Sequence, residues 1–153
     1  MTKNDLIDCH DRIKPFIHNT PVHTSKLIND LTGADIYFKC ENFQKMGAFK
    51  MRGAANAILK LSDEQKNNGV VTHSSGNHAQ AISLAAKKIG IKSYIVMPSN
   101  APEIKKIAVR SYGGHLIECE PNLAAREAAA KKIVDLKGAT FIHPSNNIDV
   151  IIG

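Results

Sequence analysis

The spacing of hydrophobic positions changes near residue 70 of this 153-residue chain. Before that point, apolar residues recur three and four apart in stretches that predict helices, and one stretch alternates apolar and polar residues like a half-buried strand. The third helix is expected to bury Phe49 on its apolar face. Polar caps and glycines mark the ends of these elements, including Ser62-x-x-Gln65 before a further helical turn that ends at Gly69. The predicted helices are 3–13, 25–31 and 48–61, the strand is 35–40, and 42–47 is a loop.

After residue 70, short strand-like and longer helix-like segments alternate regularly. Four strands joined by three helices are the pattern of βαβ units, which predicts a parallel sheet with right-handed crossovers. The predicted strands are 70–73, 93–97, 116–118 and 140–143, and the helices are 77–89, 102–112 and 122–137. The apolar run 149–153 is interpreted as the start of another buried strand, and we therefore expect the chain to stop inside a domain.

These patterns predict an α/β protein with two parts. Residues 69–145 form a small domain around the parallel sheet, and residues 1–68 form an incomplete fragment of a larger α/β domain. Residues 146–153 are expected to begin the strand that returns into that larger domain.

Composition and cysteine usage narrow the class of protein. The chain is 43% hydrophobic and 22% charged, as in ordinary globular proteins. No apolar run approaches the length of a membrane span, and the first residues lack the apolar core of a signal peptide, so a cytoplasmic location is expected. The three cysteines are widely spaced, and His73 and His78 lack neighbouring cysteines or carboxylates, so neither a disulfide framework nor a metal site is predicted.

A net charge of +6 raises the question of nucleic acid. The lysines, however, occur as pairs on separate predicted helices, and aromatic residues for base stacking make up only 5% of the chain. We therefore predict that nucleic acid is not a partner. If it were, binding would depend strongly on salt concentration.

Two polar stretches at predicted helix starts are the candidates for chemistry. Lys50 lies in the first turn of its helix, where the dipole disfavours a cation, and taken alone it is most simply a solvated surface lysine. Ser74-Ser75-Gly76-Asn77-His78 follows a predicted buried strand, the place where open α/β sheets bind ligands. Its hydroxyl, amide and main-chain N–H groups suit a carboxylate or phosphate.

The spacing of this second stretch is equally compatible with an ordinary turn in which serine or asparagine caps the next helix. The dinucleotide fingerprint, the Walker A loop and the nucleophile elbow are absent from the sequence. Arg126, near the start of a predicted helix, is most simply a surface residue.

The runs 38–54 and 74–81 together resemble the serine racemase and serine/threonine dehydratase family, fold-type II enzymes that depend on pyridoxal 5'-phosphate and share a tryptophan-synthase-β-like fold. The resemblance extends over essentially the whole chain. Ser74-Ser75 is more similar to the racemase branch than to threonine deaminases. Ala48 stands where the family usually has serine.

The resemblance implies a role for each site residue. Lys50 forms the Schiff base with the cofactor, Phe49 packs against its ring, and Asn77 bonds the ring hydroxyl. Ser74, Ser75, Asn77 and His78 hold the carboxylate of an amino-acid substrate, and Arg126 lies near the substrate entrance. Lys50 removes the α-proton, and Ser75 reprotonates from the opposite face.

The resemblance also implies limits. The glycine-rich loop for the cofactor phosphate, the group facing the pyridine nitrogen and the divalent-cation site belong to the second half of the family's fold, and the full-length form is a homodimer. We therefore expect the 153-residue chain to be inactive alone. The alternative is a non-catalytic form that binds a full-length partner, or a small anion at residues 74–78, with apolar segments such as 36–40 and 150–152 favouring association.

Overall fold

The computed structural model covers residues 1–153 and contains six strands and eight α-helices. The strands are β1 (Val22–His23), β2 (Phe38–Lys39), β3 (Val70–His73), β4 (Ser93–Pro98), β5 (His115–Cys119) and β6 (Thr140–Phe141). The helices are α1 (Lys3–Ile13), α2 (Lys26–Thr32), α3 (Lys50–Leu59), α4 (Asp63–Asn68), α5 (Asn77–Ile89), α6 (Glu103–Ser111), α7 (Leu123–Lys137) and α8 (Ile148–Ile152).

Strands β3 to β6 form one parallel sheet in the order β5-β4-β3-β6, which confirms the predicted βαβ units. Alternate residues of β4 contribute to two different cores. Ile95 and Met97 pack into the larger core with α5, whereas Val96 packs with Ala130 of α7 in the smaller one. Because successive side chains of a strand point to opposite faces, helices cover both faces of this sheet.

The first part of the chain packs onto the sheet domain through helices. Helix α3 lies against α5 and is itself contacted by α1 and α8. Small residues fill the contact between α3 and α5, among them Ala54, Ala57, Ala81 and Ala85, all of them buried. Small side chains let two helix backbones approach closely, and this contact brings the beginning of α3 toward the beginning of α5.

Three sequence-based expectations are wrong. Residues 149–153 are not a strand, because Asn147 caps helix α8 by accepting the N–H groups of Asp149 and Val150. Phe49 is not in the core, since 59% of it is exposed. Strand β2 is only two residues long, pairs antiparallel with β1, and is exposed rather than half-buried.

The segment between β2 and α3 consists of two short 3-10 turns, Glu41–Phe43 and Lys45–Gly47, where a loop was expected. The domain boundaries drawn from the sequence stay a prediction. No helix is both long and apolar enough to cross a bilayer.

Candidate active site

Lys50 is the first residue of α3 and is half-buried. Its Nζ donates a hydrogen bond of 2.8 Å to the main-chain oxygen of Pro144 and lies 5.4 Å from the centroid of the Phe49 ring. A carbonyl oxygen and an aromatic face both attract an ammonium group. The side chain is therefore held in place, unlike the freely solvated surface lysine expected from the residue alone.

Lys50 lines a cavity of about 420 Å³. One wall comes from the start of α3, and the other comes from residues more than ninety positions later. Arg52 links the two walls, because its Nε donates a 3.0 Å hydrogen bond to the main-chain oxygen of Gly153. The lining residues are Phe49, Lys50, Arg52, Gly53, Pro144, Ser145, Val150, Ile151 and Gly153.

The turn between β3 and α5 leaves main-chain donors free. Gly76 precedes the helix, and no side chain caps the helix start. The Ser74 hydroxyl accepts the N–H of Gly76 at 3.2 Å, whereas the N–H groups of Asn77 and His78 have no acceptor within the chain. The structure therefore does not show the simple serine or asparagine cap, and instead leaves the free N–H groups that bind anions at helix starts.

His78 links this turn to the lysine. Its ring contacts the main-chain oxygen of Ile142, two residues before the Pro144 oxygen that holds Lys50. Burial lowers the pKa of its imidazole to about 4, and the positive charge of Lys50 acts in the same direction. The ring is neutral at pH 7. Its Nε2 lies 3.4 Å from the main-chain oxygen of Ile142, and its Nδ1 has no partner. A proton on Nε2 suits that carbonyl, which leaves Nδ1 as an unpaired acceptor.

Ser74 and Ser75 are half-buried, and Asn77 is exposed at the first position of α5. Arg126 lies apart from the Lys50 cavity, in the first turn of α7. Its Nε makes only a long contact of 3.4 Å to the main-chain oxygen of Asn122. Burial lowers the pKa of His73 and raises that of Cys119, and the positive charge of Arg126 lowers both.

Several lining residues were not found from the sequence. Pro144 and Ser145 contact the site only because β6 ends beside β3, and Gly153 reaches it through the unexpected helix α8. No local sequence pattern signals a main-chain oxygen as the partner of a distant lysine. No cluster of three histidine, cysteine or acidic side chains has the geometry of a metal site.

Residues 13–153 match the family model described as pyridoxal-phosphate dependent enzyme. The chain belongs to this family. It is 51% identical over 152 residues to a β-hydroxyaspartate dehydratase of Paracoccus denitrificans, covering 99% of this chain and 48% of that protein. It is 48% identical over 153 residues to a serine racemase of Dictyostelium discoideum, covering 100% of this chain and 47% of the relative.

The crystal structure of serine racemase from Dictyostelium discoideum superposes with a TM-score of 0.96 at 48% identity, over 100% of this chain and 50% of that one. The likeness confirms the fold-type II architecture predicted from the sequence. The chain spans about half the length of the curated relatives it matches.

The residues around Lys50 fit the family's cofactor. An amine suited to an aldehyde, an exposed aromatic ring beside it, and free main-chain donors at the start of α5 occur together. The unpaired Nδ1 of the buried His78 ring adds a polar atom that lacks a protein partner.

Proposed function

We propose that this chain supplies the Schiff-base lysine and the substrate-carboxylate site of a pyridoxal-phosphate-dependent enzyme that racemises or deaminates hydroxy-amino acids. The observation that carries the proposal is that Lys50 and His78 both contact the main chain just after β6, Lys50 at the oxygen of Pro144 and His78 at the oxygen of Ile142. The relatives include both a serine racemase and a dehydratase of β-hydroxyaspartate, which supports this class of substrate.

Three residues would hold the cofactor. Lys50 provides the amine, the exposed ring of Phe49 packs against the pyridine, and the amide of Asn77 bonds the ring hydroxyl. When bound, pyridoxal phosphate supplies an electron sink that lowers the cost of removing the α-proton of an amino acid.

The substrate carboxylate would lie at the start of α5. The hydroxyls of Ser74 and Ser75 and the free N–H groups of Asn77 and His78 donate to it. His78 contributes through its main chain, because its ring is buried and the unpaired lone pair of Nδ1 would repel a carboxylate. Arg126 stands further out and attracts anionic substrates toward the site.

Two proton transfers determine whether the substrate is racemised or deaminated. Lys50 must first leave the oxygen of Pro144 and be deprotonated, after which its neutral amine takes the α-proton. Return of a proton from the Ser75 hydroxyl on the opposite face inverts the configuration. Loss of the β-hydroxyl as water, followed by hydrolysis, instead gives ammonia and a keto acid. Both routes share the first proton removal, so one site serves either activity.

We further propose that the 153-residue chain binds the cofactor weakly and turns over little substrate. The family's glycine-rich phosphate loop does not occur in this sequence. The start of α5 would bind the substrate carboxylate and not the cofactor phosphate. The homodimer and the divalent-cation site that the resemblance implies are likewise proposals about the full-length form.

Borohydride reduction with added pyridoxal phosphate, followed by peptide mapping, tests both proposals. We expect the label to be enriched at Lys50, to be lost in Lys50→Arg, and to persist in the control Lys26→Arg, which changes an exposed lysine of α2. Label spread evenly over the lysines would contradict the proposed function. Stoichiometric label together with turnover of serine would contradict only the inactivity of the chain.

A second candidate function is a non-catalytic module that binds a full-length partner or a small anion. It is favoured by the exposed apolar side chains of the first part of the chain, which include Leu27, Leu31 and Tyr37 at 69%, 76% and 70% exposure. Exposed apolar groups that adjoin one another promote association. Of the C-terminal residues expected to contribute, Val150 is buried and only Ile151 is exposed.

A further inference from the structure

A second cavity, of about 360 Å³, lies between helix α7 and the edge strand β6. It shares no residue with the cavity around Lys50. Its walls belong entirely to the sheet domain, and no role has been assigned to it above. The lining residues are His73, Glu127, Ala130, Lys131, Val134, Asp135, Phe141 and His143.

Three of these residues form a cluster of rings. The centroids of His73 and Phe141 are 5.4 Å apart, and that of His143 lies 6.0 Å from each of them. His143 stands edge-on to the other two. With Ala130 and Val134 opposite, the rings form apolar walls suited to a flat aromatic molecule.

His73 lines this cavity, and only 8% of the residue is exposed. Its ring interacts with the main chain of His73 itself and makes no hydrogen bond to another residue. Burial lowers the pKa of its imidazole, so the ring is neutral and offers one donor and one acceptor. The ring can therefore pack against a molecule in the cavity and form a hydrogen bond with it.

The polar atoms at the mouth of the cavity have defined roles. His143 Nδ1 accepts the N–H groups of Ser145 at 3.1 Å and Asn146 at 2.8 Å, so the proton of the neutral ring lies on Nε2. Asp135 is paired with Lys131, whereas the carboxylate of Glu127 has no ion pair and no hydrogen bond within the chain. The cavity therefore offers a fixed donor and a free anionic acceptor.

We propose that this cavity binds a small hydroxy-aromatic molecule. The aromatic ring of the ligand packs against His73 and Phe141, and its hydroxyl accepts from His143 Nε2 and donates to Glu127. A phosphate or carboxylate would lie against the unpaired carboxylate of Glu127, and a purely apolar ligand would leave Glu127 and the Nε2 donor of His143 without a partner. The site does not depend on the function proposed for Lys50.

The test uses 4-methylphenol and toluene, which differ only in the hydroxyl. Titration of the 153-residue chain is followed by two-dimensional NMR of its backbone amides. We expect saturable shifts confined to residues around the cavity, and affinity for 4-methylphenol roughly tenfold above that for toluene, because a hydrogen bond to a charged group contributes about that factor. Equal affinity for the two compounds, or shifts elsewhere only, would overturn the proposal.

Two variants add a control. Glu127→Ala removes the exposed acceptor and should reduce the preference for the hydroxyl severalfold, whereas Glu64→Ala, a change at an exposed residue of α4, should leave it unchanged. His143→Phe keeps a ring but removes the donor, and its folding is checked by circular dichroism. If a folded Glu127→Ala variant still prefers 4-methylphenol tenfold, the assigned contact is wrong.

Discussion

His78 occupies the second position of α5, where its ring is 97% buried and faces the oxygen of Ile142. The unfolded chain takes up a proton at this imidazole below its ordinary pKa of 6.5, whereas the folded chain does so only near 4. Because folding lowers the pKa of His78, its neutral imidazole is compatible with the folded chain above pH 6.5. The stability that the chain has there is lost as the pH falls toward 4.

We expect the free energy of unfolding to fall by about 3 kcal/mol over that interval because of His78 alone, since each pKa unit corresponds to about 1.4 kcal/mol. The pKa of His73 is also lowered by burial, so this residue too makes the free energy of unfolding fall as the pH falls. Urea unfolding at several pH values checks this. His78→Asn should flatten the pH dependence, and the exposed His10→Asn should not, so equal slopes in the two variants would count against the assignment.

At the residue scale, the sequence was sufficient to predict a site residue where that residue belongs to a contiguous motif. Lys50 and Ser74 to His78 were found because their motifs are contiguous. The oxygen of Pro144 that holds Lys50 lies 94 positions away, and only the folded sheet brings it there. The same holds for the burial of His78, which depends on α3 and β6 rather than on residues beside it.

At the scale of elements, caps formed within four residues were predictable. Ser62 accepts the N–H of Gln65, as the spacing Ser62-x-x-Gln65 predicts. Helix α8 was missed because its branched apolar residues favour a strand. Its contact with α3, through Gly53 and Val150, is a tertiary feature that the sequence pattern does not contain.

Gly53 allows α3 and α8 to touch, since an added Cβ would collide with the main-chain oxygen of Val150. We expect Gly53→Ala to destabilise the chain by about 1 to 3 kcal/mol, as overpacking commonly does. In a chain that ends at Asn147, the same change should instead stabilise by up to about 1 kcal/mol, because alanine favours helix. Denaturant unfolding of all four proteins gives the comparison, and equal effects in both backgrounds would exclude the contact.

Lys106 of α6 is 94% buried and bonds to Glu118 of β5 at 2.7 Å and to the oxygen of Ser99 at 2.8 Å. Glu118→Gln should destabilise by about 2 to 3 kcal/mol, somewhat below the usual loss for a fully buried pair because Glu118 is partly exposed. The measurement is thermal unfolding, with Glu64→Gln on the surface of α4 as the control. A loss of stability no larger than that of Glu64→Gln would show that the pair of Lys106 and Glu118 contributes little to the stability of the chain.

At the scale of the molecule, the sheet domain is covered on both faces, whereas the first part of the chain leaves many large apolar side chains exposed. The sequence could not predict the exposure, because periodicity identifies an apolar face without showing whether anything covers it.

We expect this exposed surface to make the chain self-associate. Sedimentation velocity over a range of concentrations should show species larger than a monomer, and the paired change Leu27→Lys with Leu31→Lys should shift the chain toward monomer. The matched control is Lys132→Ala with Lys137→Ala on the exposed side of α7. A wild-type chain that stays monomeric at all concentrations would contradict this expectation and weaken the alternative function as a partner-binding module.

The hydrogen bond from Lys50 to Pro144 also ties helix α3 to the segment that follows β6. A reagent that acylates the amine removes its positive charge and leaves a single N–H, which weakens this contact, so we expect residues 143–147 to be held less firmly. Acylation of Lys50 should therefore be slower than that of exposed lysines, and once complete it should speed proteolytic cleavage after the sheet's last strand. The Lys50 side chain therefore stabilises the position of the segment after β6 in addition to carrying an amine.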